Sequence, residues 1–489
     1  MPDSPTSSSI TDGDLLGPMI RLAWPMVVIQ LLQVAYNLAD TFWLGQLSGN
    51  AVAALSLAFP LVFFLISVGG GFTTAGSILV AQFTGADSEG SAGKVAGQTL
   101  GFVVSISAVL GVVGHFVTGD MLALLPADEE TAAVVIPMAA DYMEVFFLGM
   151  PALFGFFVFS SLMRGYGNTR TPMIVMFVSV AINVVLDPIL IFGFADNPLF
   201  GMVGATGVQS SLYAATGFGG MGIEGAAIAT IFARFVAAIL GLYVLFFTTA
   251  GPDIELSHFT PDPAMISRIV RVGTPSAAEQ STSALAMITL TAMVASFAPG
   301  VVGAFGLGNR LISLVFLPAM GLGRATNTMV GQNLGAKQTE RAERAVWLAA
   351  KFAAAVLFGI AVVAALFPRP VVSVFISPGS ENAAAIVDYG STYVRIRAVE
   401  FVFIGVLQVL LGAFRGAGNT KTAMAISMVT LWLGRVPTVY FFAFTLGWGA
   451  TGIWVGMALG NIVGAIVAAA WFTRGTWKRT IVDTDSTAG

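Results

Sequence analysis

Apolar residues run in long stretches broken by short polar segments. The stretches fall near 19–44, 52–83, 95–118, 132–162, 172–194 and 222–248, and again near 268–298, 302–334, 345–367, 384–413, 422–446 and 450–473. A helix needs about 20 mostly apolar residues to cross the hydrocarbon core of a bilayer, so each stretch reads as one span. The breaks carry turn chemistry or charge, as at Gly85-Ala86-Asp87, Asp128-Glu129-Glu130, Gly165-Tyr166-Gly167-Asn168, Gly251-Pro252-Asp253 and Ser377-Pro378-Gly379. The pattern predicts an all-α polytopic membrane protein of about twelve transmembrane helices. The first stretch is too long, and too closely followed by more spans, for a cleaved signal peptide. Residues 1–14 read as a disordered cytoplasmic tail and 476–489 as a second tail.

The chain repeats itself. Arg21-Leu-Ala-Trp-Pro25 matches Arg271-Val-Gly-Thr-Pro275, and Val80-Ala-Gln82-Phe-Thr-Gly85-Ala86 matches Val330-Gly-Gln332-Asn-Leu-Gly335-Ala336, both at an offset of 250. Arg164-Gly-Tyr-Gly-Asn168-Thr-Arg170-Thr matches Arg415-Gly-Ala-Gly-Asn419-Thr-Lys421-Thr at 251. Six spans per half is an even number, so both halves enter the membrane from the same side. The predicted architecture is two six-helix bundles, 15–248 and 268–475, related by a parallel pseudo-two-fold axis and joined by a cytoplasmic linker at 249–267. Paired bundles of this kind frame a central cavity and suit alternating access.

Charge fixes the expected orientation. With the N-terminus inside, fifteen of the 22 Lys and Arg residues fall on cytoplasmic segments and Arg369 alone falls outside. The other six, Arg234, Arg310, Arg324, Arg395, Arg397 and Arg435, lie within spans. This positive-inside bias predicts a multi-pass protein of the plasma membrane with both termini cytoplasmic. Only 10% of residues are charged against 56% hydrophobic, too little polar surface to cover one large soluble core. The absence of cysteine excludes disulfides and thiolate chemistry, and two histidines, His115 and His258, leave little for an imidazole-based metal or catalytic site. An enzyme is not expected. The net charge of −4 argues against a nucleic-acid partner, and no repeated selectivity filter suggests a channel.

A carboxylate at mid-bilayer is costly, so each one needs a reason. Gln33, Tyr36, Asn37 and Asp40 are spaced by three and four residues, which puts a polar stripe on one face of the first span. Pro25, earlier in the same span, is a bend point. Asn183 and Asp187 share a face of the fifth span, and Pro188 frees a carbonyl one turn back. Such a set of oxygens suits a hard monovalent cation, while a Pro-kinked helix with a capping Asp is the plainer alternative. The repeat favours function: Asp40 corresponds to Leu290, Asp187 to Thr438 and Asn183 to Gly434, so the scaffold does not require the acids. Two carboxylates sharing a pocket would titrate together and accept a proton or a sodium ion. Glu279 has no local partner and is a secondary candidate for a cavity acid. Glu400 follows Arg397 by three residues, an intrahelical ion pair. Asp141 and Glu144 fit a solvated cavity mouth.

Taken in order, with their duplication, these motifs resemble the multidrug and toxic compound extrusion (MATE) transporters over nearly all of residues 18–475. The first-helix Pro25…Asp40 motif, Val80…Ala86, Arg164-Gly-Tyr-Gly-Asn168-Thr, Asn183-Val-Val-Leu-Asp187-Pro and Gly225-Ala-Ala-Ile-Ala-Thr230 carry the likeness. The resemblance implies a V-shaped antiporter, without a cofactor, exporting amphipathic and often cationic drugs against inward H+ or Na+. In the branch with its acids in the first half, the cation site matches Asp40, Asn183, Asp187 and Thr230, with Gln33, Tyr36, Asn37 and Tyr142 nearby. The expected partners are small-molecule drugs and the lipid bilayer, and a monomer is expected. A lipid-linked oligosaccharide flippase of the same superfamily is the alternative.

Overall fold

The computed structural model describes residues 8–123, 129, 131–376, 382–478 and 481–482. The twelve apolar stretches become twelve helical passes. The first six are Leu16–Leu47, Gly49–Gly85, Glu89–Ala123, Ile136–Leu148 continued by Met150–Tyr166, Arg170–Phe192 and Gly222–Phe247. The second six are Pro263–Ala295, Pro299–Gly335, Thr339–Leu366, Ala383–Ala398 with Phe401–Gly416, Thr420–Thr445 and Gly449–Thr473. Ten helices are long and apolar enough to cross a membrane, and the pair around Val399, bent by 53°, makes an eleventh. The twelfth, Pro263–Ala295, has the length but carries Arg268, Arg271, Glu279 and several hydroxyl residues, which lower its mean hydropathy. No strand occurs among the described residues. The breaks at 128 and 377–379 lie outside the described residues, as do residues 1–7.

The repeat becomes symmetry in space. Gln82 Nε2 donates to the Gly416 carbonyl (2.9 Å), and Gln332 Nε2 donates to the Gly165 carbonyl (3.0 Å). A Cβ added to Gly85 would stand 1.9 Å from the Gln332 carbonyl oxygen, and one on Gly335 would stand 2.0 Å from that of Gln82. The repeated Gln and Gly thus serve one reciprocal crossing of the second and eighth passes, at a separation only glycine permits. The helix starts are exchanged as well. Ile269 and Val272 of the seventh pass belong to the core of the first half, while Met19, Leu22 and Ala23 of the first pass belong to that of the second.

Two short helices, Pro198–Met202 and Thr206–Thr216, interrupt the symmetry. The apolar pattern does not predict them. They lengthen the connection before the sixth pass, so the repeat offset falls to 227 in the last helix, where Gly222 and Gly225 match Gly449 and Gly452.

Parts of both tails are packed where they are described. Residues 8–11 form a helical turn with Ile10 fully buried, and Arg341 donates to the carbonyls of Ile10, Asp12 and Gly13. Trp477 is buried, and the backbone N–H of Ile481 donates to Gln82 Oε1. One or two large apolar residues suffice to anchor a mostly polar segment, which average composition conceals. Where the polar linker meets the first half, Lys94 pairs with Asp262 at 2.7 Å and holds its carboxyl below the usual carboxylate range, helped by the Met265 N–H.

Candidate functional site

Four helices of the first half converge on one polar pocket. The first supplies Tyr36 and Asp40, the fourth Tyr142, the fifth Asn183 and Asp187, and the sixth Thr230. Asn183 and Asp187 are wholly buried, and Asp40 is 6% exposed. Asn183 Nδ2 donates to Asp187 Oδ1 (2.9 Å), and the Tyr36 hydroxyl donates to Thr230 Oγ1 (2.7 Å). The Asp40 carboxyl lies beside Asp187, Tyr36 and Asn183, and the Tyr142 hydroxyl lies beside Thr230.

Three oxygens in this pocket have no hydrogen-bond partner: Asp40 Oδ1, Asn183 Oδ1 and Asp187 Oδ2. A buried acceptor left unpaired costs about 1–3 kcal/mol, and two adjacent carboxylates also repel. A proton shared between them, or a small cation among the three oxygens, relieves both penalties. The helix end behind Asp187 is held by Asn197, whose Nδ2 donates to the carbonyls of Pro188 and Gly193 (2.8 and 2.7 Å). The first helix is continuous through Pro25. Proline lacks an N–H, so the Arg21 carbonyl one turn back is unpaired within the helix, and Thr169 Oγ1 meets it at 3.4 Å.

Gln33 and Asn37 share the predicted face but not the pocket. Gln33 Nε2 donates to Asn37 Oδ1 (3.2 Å), and Gln33 Oε1 accepts from Arg234 Nη2 (3.0 Å). Arg234 is the residue that local reading passed over. It lies one turn beyond Thr230, is buried, reaches Met176 Sδ at 3.0 Å, and sits over the rings of Tyr36 and Phe156 at 5.0 and 5.5 Å. An arginine in an apolar span, four residues from a pocket residue, was the available signal. Asp141 is exposed and Glu144 half-buried, and His115 meets the Glu144 carbonyl and the Phe116 ring, so none of them joins the pocket.

The second half is wired differently. Glu279 is not the partnerless acid that its sequence neighbourhood suggests. Arg415 holds it through Nη2 (2.6 Å) and Nε (3.3 Å), and the Ser427 hydroxyl donates to it at 2.5 Å. Arg415 stands 136 residues away in sequence, so nothing local could reveal it. Arg397 and Glu400 form the expected ion pair, fully buried. Glu400 also accepts from Asn461 (2.9 Å), and Arg397 donates to the hydroxyl of Tyr393 (2.5 Å), the repeat mate of Tyr142. A cavity of about 240 Å³ opens beside this network, with Glu279, Gln408, Arg415, Arg435 and Asn461 in its wall. A larger groove of about 850 Å³ in the first half is lined by residues such as Val145, Phe232 and Phe235, and contains none of the pocket acids.

Comparison with known proteins gives a consistent picture. The sequence profile of the MatE family matches residues 25–189 and 275–441, the two repeats. The chain is 27% identical over 470 residues to "Probable multidrug resistance protein YpnP" of Bacillus subtilis (strain 168), covering 96% of this chain and 97% of that one. It is 26% identical over 421 residues to a protein named "FAD transporter" in Shewanella oneidensis, with 86% of each covered. A solved outward-facing structure of a multidrug resistance MATE family transporter of the MOP superfamily superposes with a TM-score of 0.83 at 25% identity, covering 98% of this chain and all of the other.

Proposed function

The chain belongs to the MatE family, and from that premise we propose that it is a secondary multidrug efflux antiporter of the plasma membrane, exporting amphipathic, often cationic organic compounds in exchange for inward H+ or Na+. The relatives' names support multidrug transport. The single observation that carries the coupling is the set of three unpartnered oxygens on Asp40, Asn183 and Asp187. A coupling ion needs a site whose occupied and empty forms differ in energy, and unsatisfied buried acceptors supply that difference. Thr230 and Tyr142 complete the wall, and Tyr36 links the pocket to Arg234 and hence to Gln33 and Asn37 on the open face of the first helix.

In this reading the halves 15–248 and 268–475 rock about the reciprocal Gln–Gly crossing, with 249–267 as the linker between them. By alternation of passes, the crossing and both tails lie at the end we assign to the cytoplasm, which is therefore the closed end. Away from it, Leu38 and Phe42 of the first pass, Phe59 and Phe63 of the second, and Met287 and Ile288 of the seventh are exposed, and this reading assigns them to the walls of an outward opening. Filling the acid pocket with a proton or Na+ removes its repulsion and lets the first helix move about Pro25. The ion and the drug must favour different states, because equal affinity for both shifts nothing.

The test is counterflow of a fluorescent cationic dye in proteoliposomes under separately imposed Na+ and pH gradients. Asp40→Asn and Asp187→Asn are expected to abolish driven efflux under whichever gradient supports it. Undiminished transport by both variants defeats the assignment.

A further inference from the structure

Arg435, half-buried within the eleventh pass, lines the second-half cavity, and its guanidinium has no hydrogen-bond acceptor among the described residues. Its Nε is buried without a hydrogen bond, and no ion pair among the described residues includes it. Glu400 lies within electrostatic range, but Arg397 and Asn461 already occupy that carboxylate. The nearer end of the span, Thr445, is ten residues on, roughly 15 Å along a helix, too far for the side chain to reach water at the interface. A charge in a span that has no acidic partner of its own must face a polar cavity or a ligand, and Arg435 faces the cavity of the second half.

Two features of the backbone support this. Arg435 closes a π-helical stretch, Val429–Arg435, an irregularity that occurs often at functional sites. It also stands three residues before Thr438, the repeat mate of Asp187, so the second half has a cationic donor within one turn of the position that holds a carboxylate in the first. The cavity beside it holds about 240 Å³, less than a whole drug molecule needs but room for a head group with a ring attached. Around that space Glu279 is neutralised by Arg415, leaving Arg435 as the uncompensated charge, flanked by Gln408 and Asn461 as polar neighbours. The rest of the wall includes Leu290, Phe316 and Leu411.

We propose that this second-half cavity is an anion subsite, in which Arg435 binds the carboxylate or comparable oxyanion of an amphipathic solute while the apolar wall takes the adjoining ring. An arginine cannot be deprotonated in a protein, so the preference is fixed at every physiological pH. Its planar fork matches a carboxylate in two parallel hydrogen bonds. The biological role rests on the efflux reading: a ring-bearing acid or zwitterion carried by the protein would be held by its carboxylate at Arg435.

The test uses a fluorescent quinolone carboxylic acid and its methyl ester, with binding measured by calorimetry on the full chain in neutral detergent free of added lipid, which removes phospholipid head groups as competing anions. The wild type is expected to bind the acid at least about tenfold more tightly than the ester, as charge-assisted hydrogen bonds allow. Arg435→Gln should erase that preference and keep ester affinity within a factor of about two, while Arg435→Lys, which keeps the charge, should retain part of it. Equal wild-type affinity for acid and ester overturns the proposal whatever the variants do, and so does an unchanged preference in Arg435→Gln. Dye efflux under imposed gradients is scored separately. A chain that favours the acid but pumps nothing loses the antiporter reading and keeps the anion subsite, and the opposite result loses only the subsite.

Discussion

The two halves of this chain share one scaffold and treat buried charge in opposite ways. In the first half, Asp40, Asn183 and Asp187 leave three acceptor oxygens open. In the second, Arg397 and Glu400 neutralise each other, Tyr393 and Asn461 complete the network, and Glu279 is tied to Arg415. The exchange extends to single residues: at the offset of 227, Arg234 of the sixth pass corresponds to Asn461 of the twelfth. Buried polar groups whose hydrogen bonds are complete rigidify a bundle, and the same groups left incomplete are costly, which is what the proposed ion site would relieve. Duplication gave the fold two equivalent bundles, and only the first keeps unpaired carboxylate oxygens, at positions where the second carries Leu290 and Thr438.

The comparison breaks first at the acids. Asp187→Asn should abolish gradient-driven dye efflux yet leave thermal stability unchanged or raised, since it removes a carboxylate that native contacts do not satisfy; a large drop in melting temperature would show the pocket to be structural. Glu400→Gln should do the reverse. Removing one member of a buried ion pair strands the other, at a cost of about 3–5 kcal/mol. Denaturant or thermal unfolding should show this loss while efflux per folded molecule persists.

A smaller effect is expected at the symmetric crossing. Gly85→Val and Gly335→Val each drive a side chain into the facing backbone, so both should shift the population toward an arrangement in which that end is parted, and to a similar degree. The chain has no native cysteine, so spin labels on cysteines placed at Lys94 and Arg344 can report the separation without background. Unequal responses would show that the two sides of the crossing do not share the closure evenly.

The smallest effect belongs to the partly exposed Lys94–Asp262 pair, 45% and 28% accessible, for which Asp262→Asn should cost no more than about 1 kcal/mol. Lys94 lowers the Asp262 carboxyl in the folded state, so its contribution is complete above the unfolded carboxylate pKa of about 4 and fades as the pH falls through the lower folded value. A pH series of unfolding midpoints, wild type against variant, should converge at acid pH.

Much of the architecture could be read in one dimension. Bilayer thickness fixes the length of an apolar run, and helical geometry turns spacings of three and four into a shared face, so the twelve passes and the stripe from Gln33 to Asp40 follow directly. The stripe then divides: Tyr36 and Asp40 enter the pocket, whereas Gln33 and Asn37 bond each other beside it. Periodicity gives a face but not what that face meets. The burial of Ile10 was equally out of reach, since its contacts lie with Asn333 and Arg341, more than 300 residues away.

Span count, duplication, the positive-inside bias and the asymmetry of acids between halves are properties of order along the chain, and the residues alone determined them. Which charges are free was settled by folding. Glu279 lost its freedom to an arginine 136 residues distant, and Arg435 kept its own because Glu400 was already taken. Electrostatic satisfaction acts over a few ångströms between helices that the chain visits far apart, so no local window of sequence holds both partners of such a pair.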